Sequence, residues 1–211
     1  SQTLDLMVSS RLSVVREILL PVRHCLISQA SMDKIVRVFS HPQALAQCRG
    51  WLKANLPGVA TITTASTSDA VLTAANAPDS AAIASEQAAR LYDVPVLATN
   101  ISDSPDNITR FWVLSRTMTA ASEHAKTSLI LTLENKPGAL FHALGAFAEK
   151  GINLTKIESR PSRKDPWEYI FFIDFQGSLM EERVQKAMEL IKAHTREIIV
   201  LGSYPEGGIG E

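Results

Sequence analysis

The chain has 211 residues, a formal net charge of −1 and 45% hydrophobic residues, which places it among globular proteins able to bury a substantial core and excludes collagen-like and disordered chains. No run approaches the roughly 18 apolar residues of a membrane helix, and no charged segment followed by an apolar one opens the sequence, so neither membrane insertion nor secretion is expected. Near-neutral charge without a Lys/Arg cluster argues against a polyanion binder, because non-specific nucleic-acid affinity comes from cations that neutralise phosphates. Cys25 and Cys48 form no CxxC pair and imply no disulfide framework, so a reduced, cytoplasmic setting is expected. Ser1 is not an initiator methionine and a helical pattern begins at once, which reads as a processed, truncated or incompletely represented chain.

From residue 1 to 116, short β-branched runs alternate with helical stretches, the signature of an α/β layer structure. A helix over 3–9 is followed by strands 13–20 and 34–39, helix 42–55, strand 59–64, helix 68–75, strand 81–84, helix 86–92, and strands 95–99 and 111–114. In helix 42–55, Leu45, Cys48 and Leu52 form an apolar stripe, and Gln43 and Gln47, spaced i,i+4, share a polar one. Only Gly50 and Gly58 precede residue 138, so this part has no glycine-rich loop able to wrap a nucleotide phosphate. Residues 117–126 are polar and alanine-rich and read as a linker. A second module spans 127–204: leucines at 129, 131 and 133 alternate as in a half-buried strand, and helix 138–150 carries Leu140, Leu144 and Phe147 and stops at Gly151. Strands 153–160 and 169–175 follow. Ser178 and Glu181 predict a capping box for a helix carrying Val184, Met188 and Ile191, and strand 197–201 closes the set. The order βαββαβ is a ferredoxin-like sandwich. Residues 205–211, with Gly207, Gly208 and Gly210, read as a frayed tail.

Three junctions in the first module share a chemistry. Ser40-His41-Pro42-Gln43 passes from strand to helix, with Ser40 as expected N-cap, Pro42 in the first turn and Gln43 at N3. Ser66-Thr67-Ser68-Asp69 repeats the pattern. Each helix start offers free N–H groups and the positive end of a dipole, so two at one sheet edge suit two carboxylates; the plain alternative is that they are only caps. In Asn107-Ile108-Thr109-Arg110-Phe111 a threonine hydroxyl lies beside a guanidinium, a pair able to assist a hydroxide-like leaving group while holding an anion. Arg110 equally suits a structural ion pair. His41 has an imidazole that titrates near neutrality but sits in a first turn beside a proline. His24, His124, His142 and His194 have no ligand spacing, so no metal site is proposed.

Ser40-His41-Pro42-Gln43, Gln47-Cys48, Ser66-Thr67-Ser68, Ala81-Ala82-Ile83-Ala84-Ser85 and Thr109-Arg110-Phe111 occur in the order and rough spacing of prephenate dehydratases. Lys136-Pro137-Gly138-Ala139-Leu140 followed by Leu154-Thr155-Lys156-Ile157-Glu158-Ser159-Arg160-Pro161 resembles the ACT regulatory domain attached to that enzyme. The resemblance implies an α/β, periplasmic-binding-protein-like, two-lobed catalytic domain over 1–116, followed by the ACT domain. It also implies the reaction, in which prephenate loses CO2 and water to give phenylpyruvate with no cofactor, since aromatisation supplies the driving force. Carried over to this chain, Thr109 is the hydroxyl that assists the leaving group, and Arg110 and Phe111 flank it. Arg110 either pairs with a substrate carboxylate or fixes the loop. Ser40 and Gln47 bind substrate, and Ser66 and Thr67 line the cleft at the opposite cap. The family's first lobe is built largely from residues that precede an Asn-Ser motif, and this chain starts just after where that motif belongs, so much of that lobe is expected to be absent.

In the regulatory module the resemblance implies a phenylalanine site formed by Gly138, Ala139, Leu140, Asn153, Leu154, Glu158 and Ser159, with Glu158 available to an α-amino group. The plain alternative is an ordinary helix start and an exposed strand residue. ACT modules usually bind effectors between subunits, which implies a homodimer or homotetramer whose phenylalanine-bound state is inhibited. Two other functions stay open at this point: arogenate dehydratase, and a non-catalytic phenylalanine sensor if Ser1 is the true start.

Overall fold

The computed structural model describes residues 2–104, 107–117, 125–162 and 169–208. They form two compact units, Leu20–Thr109 on one hand and Ser1–Leu19 with Arg110–Glu211 on the other. His124, Gly210 and positions 118–124 of the expected linker lie outside the described residues. The chain begins with α1 (Gln2–Ser9) and β1 (Ser13–Pro21).

In the Leu20–Thr109 unit, β2 (Cys25–Ile27), β3 (Arg37–Ser40), β4 (Ala60–Thr63), β5 (Ser80–Ala84) and β6 (Val96–Ala98) form one sheet in the order β4-β3-β5-β2-β6. β3 is parallel to both β4 and β5, whereas β2 runs antiparallel to β5 and β6. α2 (Pro42–Gln47) and α3 (Arg49–Asn55) connect β3 to β4, α4 (Thr67–Ala75) connects β4 to β5, and α5 (Glu86–Leu91) follows β5. The helices cover both faces: Ala44, Cys48 and Leu52 pack with Val38, Ala81 and Ile83, while Ala70, Val71, Ala74, Ala88 and Ala89 pack with Phe39, Ala82 and Ala84. The alanines of β5 carry nothing beyond Cβ, which lets helices approach a strand buried along its whole length.

Three details differ from the expected elements. The helix expected over 42–55 breaks at Cys48, whose backbone (φ −115°, ψ 11°) ends α2 and starts α3. The strand expected over 34–39 begins only at Arg37, because Met32–Lys34 closes a 3-10 turn. β2 was not signalled, since three consecutive buried apolar residues are too short to show a period.

In the other unit, β7 (Ile108–Ser115) pairs with β1 in a two-stranded ribbon. β8 (Ala125–Thr132), β9 (Leu154–Pro161), β10 (Tyr169–Gln176) and β11 (Glu197–Pro205) form an antiparallel sheet in the order β11-β8-β10-β9, the ferredoxin-like arrangement. α6 (Ala139–Glu149) and α7 (Glu182–Lys192) cover one face through Leu129, Leu131, Ala143, Phe147, Val184 and Ile191. Leu4 and Met7 of α1 and Val14 of β1 pack on the other face against Ile130, Phe172, Leu201 and Tyr204. β8 is therefore buried along its whole length rather than half-buried, because both faces have a cover. Gly202 permits this cover: a Cβ there would lie 2.1 Å from the Val14 carbonyl oxygen. The capping box before α7 is only half formed. Glu181 Oε1 accepts from the Ser178 N–H at 2.6 Å, but Ser178 Oγ accepts from Met180 and the N-cap is Glu181.

Candidate active site

β3 is paired in parallel with β4 and with β5, so the C-terminal ends of all three strands lie along one sheet edge, and α2, α4 and α5 start from it. The chain leaves β3 for a neighbour on one side and returns to β5 on the other, with intervening helices on opposite faces. The junction of β3 and β5 is thus the topological switch point, where doubly wound sheets place their ligands.

Ser40 ends β3 at this junction, fully buried, and its Oγ donates to the Ile83 carbonyl of β5 at 2.6 Å. The expectation that Ser40 caps α2 is corrected. Ser40 is still held in the sheet, its carbonyl accepting from the Thr64 N–H at 2.9 Å. The N-cap is His41, whose Nδ1 accepts from the Gln43 N–H at 3.3 Å. Ser66 does cap α4, with Oγ accepting from the Asp69 N–H at 3.0 Å, and Thr67 is the first residue of that helix. Ser85, from the quoted Ala81–Ser85 string, caps α5 in the same way, accepting from the Ala88 N–H at 3.2 Å.

Gln47 lies half-buried at the end of α2. Its Oε1 is 2.8 Å from Nε2 of the buried His24; a carbonyl oxygen can only accept, so the imidazole donates and, among the described residues, the two amide N–H groups of Gln47 stay available as donors. The Asp103 N–H donates to the Gln47 carbonyl at 2.7 Å, and the Asp103 carboxylate accepts from the Gly50 and Trp51 N–H groups at 2.8 and 2.9 Å, completing the start of α3. Sequence reasoning missed His24 and Asp103, whose partners lie 23 and 53 positions away and leave no local pattern. Burial, reinforced by the Asp103 charge, pushes the Cys48 thiol up to about 12, so it stays protonated and is no nucleophile.

Thr109 and Phe111 are exposed on β7, while Arg110 and Trp112 between and after them are half-buried. Successive strand side chains point to opposite faces, so Thr109 and Arg110 face opposite ways. Thr109 belongs to the same unit as Ser40, Gln47, Ser66 and Thr67; Arg110 and Phe111 belong to the other. Arg110 Nη1 binds Asp174 Oδ2 and, at 3.3 Å, Glu17 Oε2, and its guanidinium lies 4.9 Å over the Trp112 ring. Burial opposes the Arg110 charge, but the Asp174 and Glu17 carboxylates outweigh it and hold the guanidinium protonated.

Gly138 starts α6 at φ 81°, a left-handed backbone that glycine adopts without strain. Ala139 is buried, and Leu140 packs against the core beneath the helices. Glu158 is held by Lys156 Nζ at 2.9 Å and by Arg160 Nε and Nη2 at 3.0 and 2.9 Å. The register places Glu158 opposite Phe172, on the face away from α6 and α7, and Ser159 opposite Phe171 on the helix face. Thr132, which leads into the Gly138 loop, is level with Arg160 across β10, whereas Leu154 is level with the Lys126–Thr127 end of β8. Within one chain, therefore, Gly138–Leu140 and Asn153–Leu154 stand at opposite ends of the sheet, roughly 20 Å apart by strand rise.

Residues 1–119 match the family model described as prephenate dehydratase, and residues 127–189 match the ACT domain. A bifunctional chorismate mutase/prephenate dehydratase of Aquifex aeolicus is 44% identical over 210 residues, covering 99% of this chain and 58% of the relative. Arogenate dehydratase/prephenate dehydratase 2 of Arabidopsis thaliana, described as chloroplastic, is 41% identical over 215 residues, covering 95% of this chain and 56% of the relative. Among solved structures, a prephenate dehydratase from Arthrobacter aurescens in complex with L-Phe superposes with a TM-score of 0.86 at 33% identity, covering 97% of this chain and 70% of that one. The chain spans a little over half the length of the curated relatives it matches. With a family match over more than half of its residues and the βαββαβ unit behind it, the chain belongs to the prephenate dehydratase family and carries a C-terminal ACT domain.

Proposed function

We propose that this chain carries prephenate dehydratase chemistry under feedback control by phenylalanine. In the reaction the ring carboxylate leaves as CO2, its bonding electrons enter the ring, and the C–O bond to the ring hydroxyl breaks; with a proton the hydroxyl departs as water and phenylpyruvate remains. The protein's task is to hold two carboxylates and to assist the departing hydroxyl. The observation that carries the reading is one unit holding an exposed Thr109 hydroxyl together with the Gln47 amide donors and the Ser66–Thr67 helix start at a switch-point edge. Thr109 donates to the leaving hydroxyl, Gln47, Ser66 and Thr67 bind substrate, and Ser40 braces the edge through Ile83. Phe111 flanks Thr109 on the same face of β7.

Phenylalanine is the effector at the ACT domain, and the fold favours an oligomeric site. Two copies pairing antiparallel along the edge strand β9 would bring Gly138–Leu140 of one copy to Asn153–Leu154 of the other, which a single chain keeps apart. Phe141 on α6 and Ile157 on β9 are 75% and 48% exposed, apolar surface that such a pairing covers. A reducing, cytoplasmic setting suits two free, buried cysteines, and among the described residues no helix is long and apolar enough to cross a membrane.

Arogenate is a second substrate candidate, because plant relatives carry that name at 39–41% identity. Incubating the purified full-length protein with prephenate and with arogenate, each with and without phenylalanine, tests the reading. Phenylpyruvate formation that phenylalanine suppresses is expected; turnover of neither substrate would overturn it.

A further inference from the structure

The sheet face that carries the ACT domain's non-helical cover holds three buried charged side chains, Glu17, Lys126 and Asp174, together with the half-buried Arg110. Glu17 of β1 is fully buried and accepts from Lys126 Nζ of β8 at 2.8 Å and from the Gly207 N–H at 3.2 Å. Its other oxygen takes Arg110 of β7. Arg110 also binds Asp174, which lies towards the C-terminal end of β10 and is nearly inaccessible to solvent. Asp174 Oδ1 accepts from Ser128 Oγ at 2.6 Å, and since that hydroxyl's proton is committed, the Tyr204 hydroxyl donates to Ser128 at 2.6 Å. A run of hydrogen bonds thus leads from β11 through β8 and β10 to Arg110, the residue after Thr109. On β9, Lys156 is the cross-strand partner of Asp174, and the β9–β10 register slips immediately after Asp174, so a shift of β9 meets Asp174 at the first irregular step of the ladder.

Resting on the proposed reaction and effector, we propose that Arg110 is a positioning residue. Through Asp174 and Glu17 it fastens the strand bearing Thr109 to the ACT sheet, so that phenylalanine bound along β9 acts on Thr109 through this junction. The alternation along β7 supports this. Arg110 faces the buried carboxylates, opposite to Thr109 and Phe111, and its Nη1 is engaged there by both of them. Nη1 of this guanidinium meets a carboxylate of β1 and one of β10, which lets Arg110 hold one strand against two others at once.

The test uses the full-length protein and Asp174→Asn, which keeps the side-chain shape on an element remote from Thr109 in sequence. Expected are phenylalanine binding by calorimetry and a KM for prephenate within about two-fold of the parent. kcat should fall about 5- to 50-fold, and the fold-suppression of turnover at saturating phenylalanine should drop by at least about five-fold. Arg110→Lys should retain more of kcat than Arg110→Gln. If Asp174→Asn does not fold, Tyr204→Phe, which deletes only the distal hydroxyl, should shift kcat and inhibition the same way by about two- to five-fold. Parental kcat and inhibition in whichever of these variants folds would overturn the proposal, as would a KM rise of about ten-fold in both Arg110 variants, the mark of a substrate-carboxylate contact. Should the parent turn over neither prephenate nor arogenate, the reaction assignment fails on its own. The junction is then read from hydrogen exchange: phenylalanine should slow exchange over 108–115 in the parent and not in Asp174→Asn, and equal protection in both would overturn it.

Discussion

At the switch-point edge of the Leu20–Thr109 unit, Ser66 and Ser85 are exposed and each satisfies one N–H of a helix's first turn. On the cover face of the ACT unit, Glu17, Lys126 and Asp174 are buried and satisfy one another through Arg110 and Ser128. Both regions use short-range polar contacts to fix strands and helices, but their consequences for mutation differ. An exposed cap that is lost is replaced by water, so the helix loses a modest increment. A buried carboxylate that is lost leaves its cation without a partner in a medium that cannot solvate it, and the penalty is several-fold larger. Groups able to act on a ligand are expected at the first region, and groups that decide whether strands stay together at the second. Thr109 and Arg110, adjacent in β7, fall on either side of that division.

Thr109→Ala should break the pairing of these roles most sharply. Turnover of prephenate is expected to fall by about 10²- to 10⁴-fold, the range for loss of a positioned proton donor, while the thermal melting curve stays at the parental midpoint because the side chain is exposed. Glu17→Ala should do the reverse. Lys126 keeps Glu206 at 3.5 Å and Arg110 keeps Asp174, yet both lose their fully buried partner. A loss of about 3 kcal/mol is expected, or about 6–12 °C in Tm, read by calorimetry. A melt within about 2 °C of the parent would mean that water reaches this face, and the contrast between the regions would fail.

Gly138→Ala sits between the two extremes. A Cβ on a backbone at φ 81° is strained by about 1–2 kcal/mol, and it would lie 3.3 Å from His142 Nε2, the end of a side chain that can move aside. A modest drop in melting midpoint is expected, together with weaker inhibition by phenylalanine at unchanged uninhibited turnover. Ser66→Ala should remove about 1 kcal/mol, the cost of one exposed N-cap.

Much of this architecture was legible in the sequence, and the parts that were not share a cause. The long amphipathic helices, the βαββαβ order and the Ser66 cap follow from patterns a few residues long, and local patterns are what a sequence displays. Ser40 as a cap failed because the strand runs one residue further than its composition signals, so that His41 takes the cap. β8 was expected to have a wet face, because nothing in its alternating leucines shows that α1 and β1, more than a hundred positions earlier, cover it. The Glu17–Arg110–Asp174 cluster is assembled across 93 and 64 positions, and no local pattern marks Glu17 or Asp174 as the partners of Arg110. At the candidate site, Thr109, Ser66 and Gln47 are singled out by the resemblance, whereas His24 and Asp103, which hold Gln47 and the start of α3, carry no local mark.

The smallest expected effect isolates burial as the cause of the contrast. Glu181 has the same kinds of partner as Glu17: it accepts from the Ser178 N–H at 2.6 Å and from Arg183 Nε at 2.7 Å, but near the surface. The Ser178 N–H, and then Arg183, hold its carboxyl below the usual carboxylate range. A depressed carboxyl contributes stability that is present above its unfolded-state pKa, near 4.3, and is lost as pH falls through the folded value. Glu181→Gln should therefore cost less than about 1 kcal/mol at neutral pH, and the gap between variant and parent melting midpoints should narrow as pH drops below about 4. Added salt should shrink the same gap at neutral pH, because exposed pairs are screened and buried ones much less. A Glu181 penalty as large as that of Glu17, and equally indifferent to salt, would show that partner chemistry rather than burial separates the two regions.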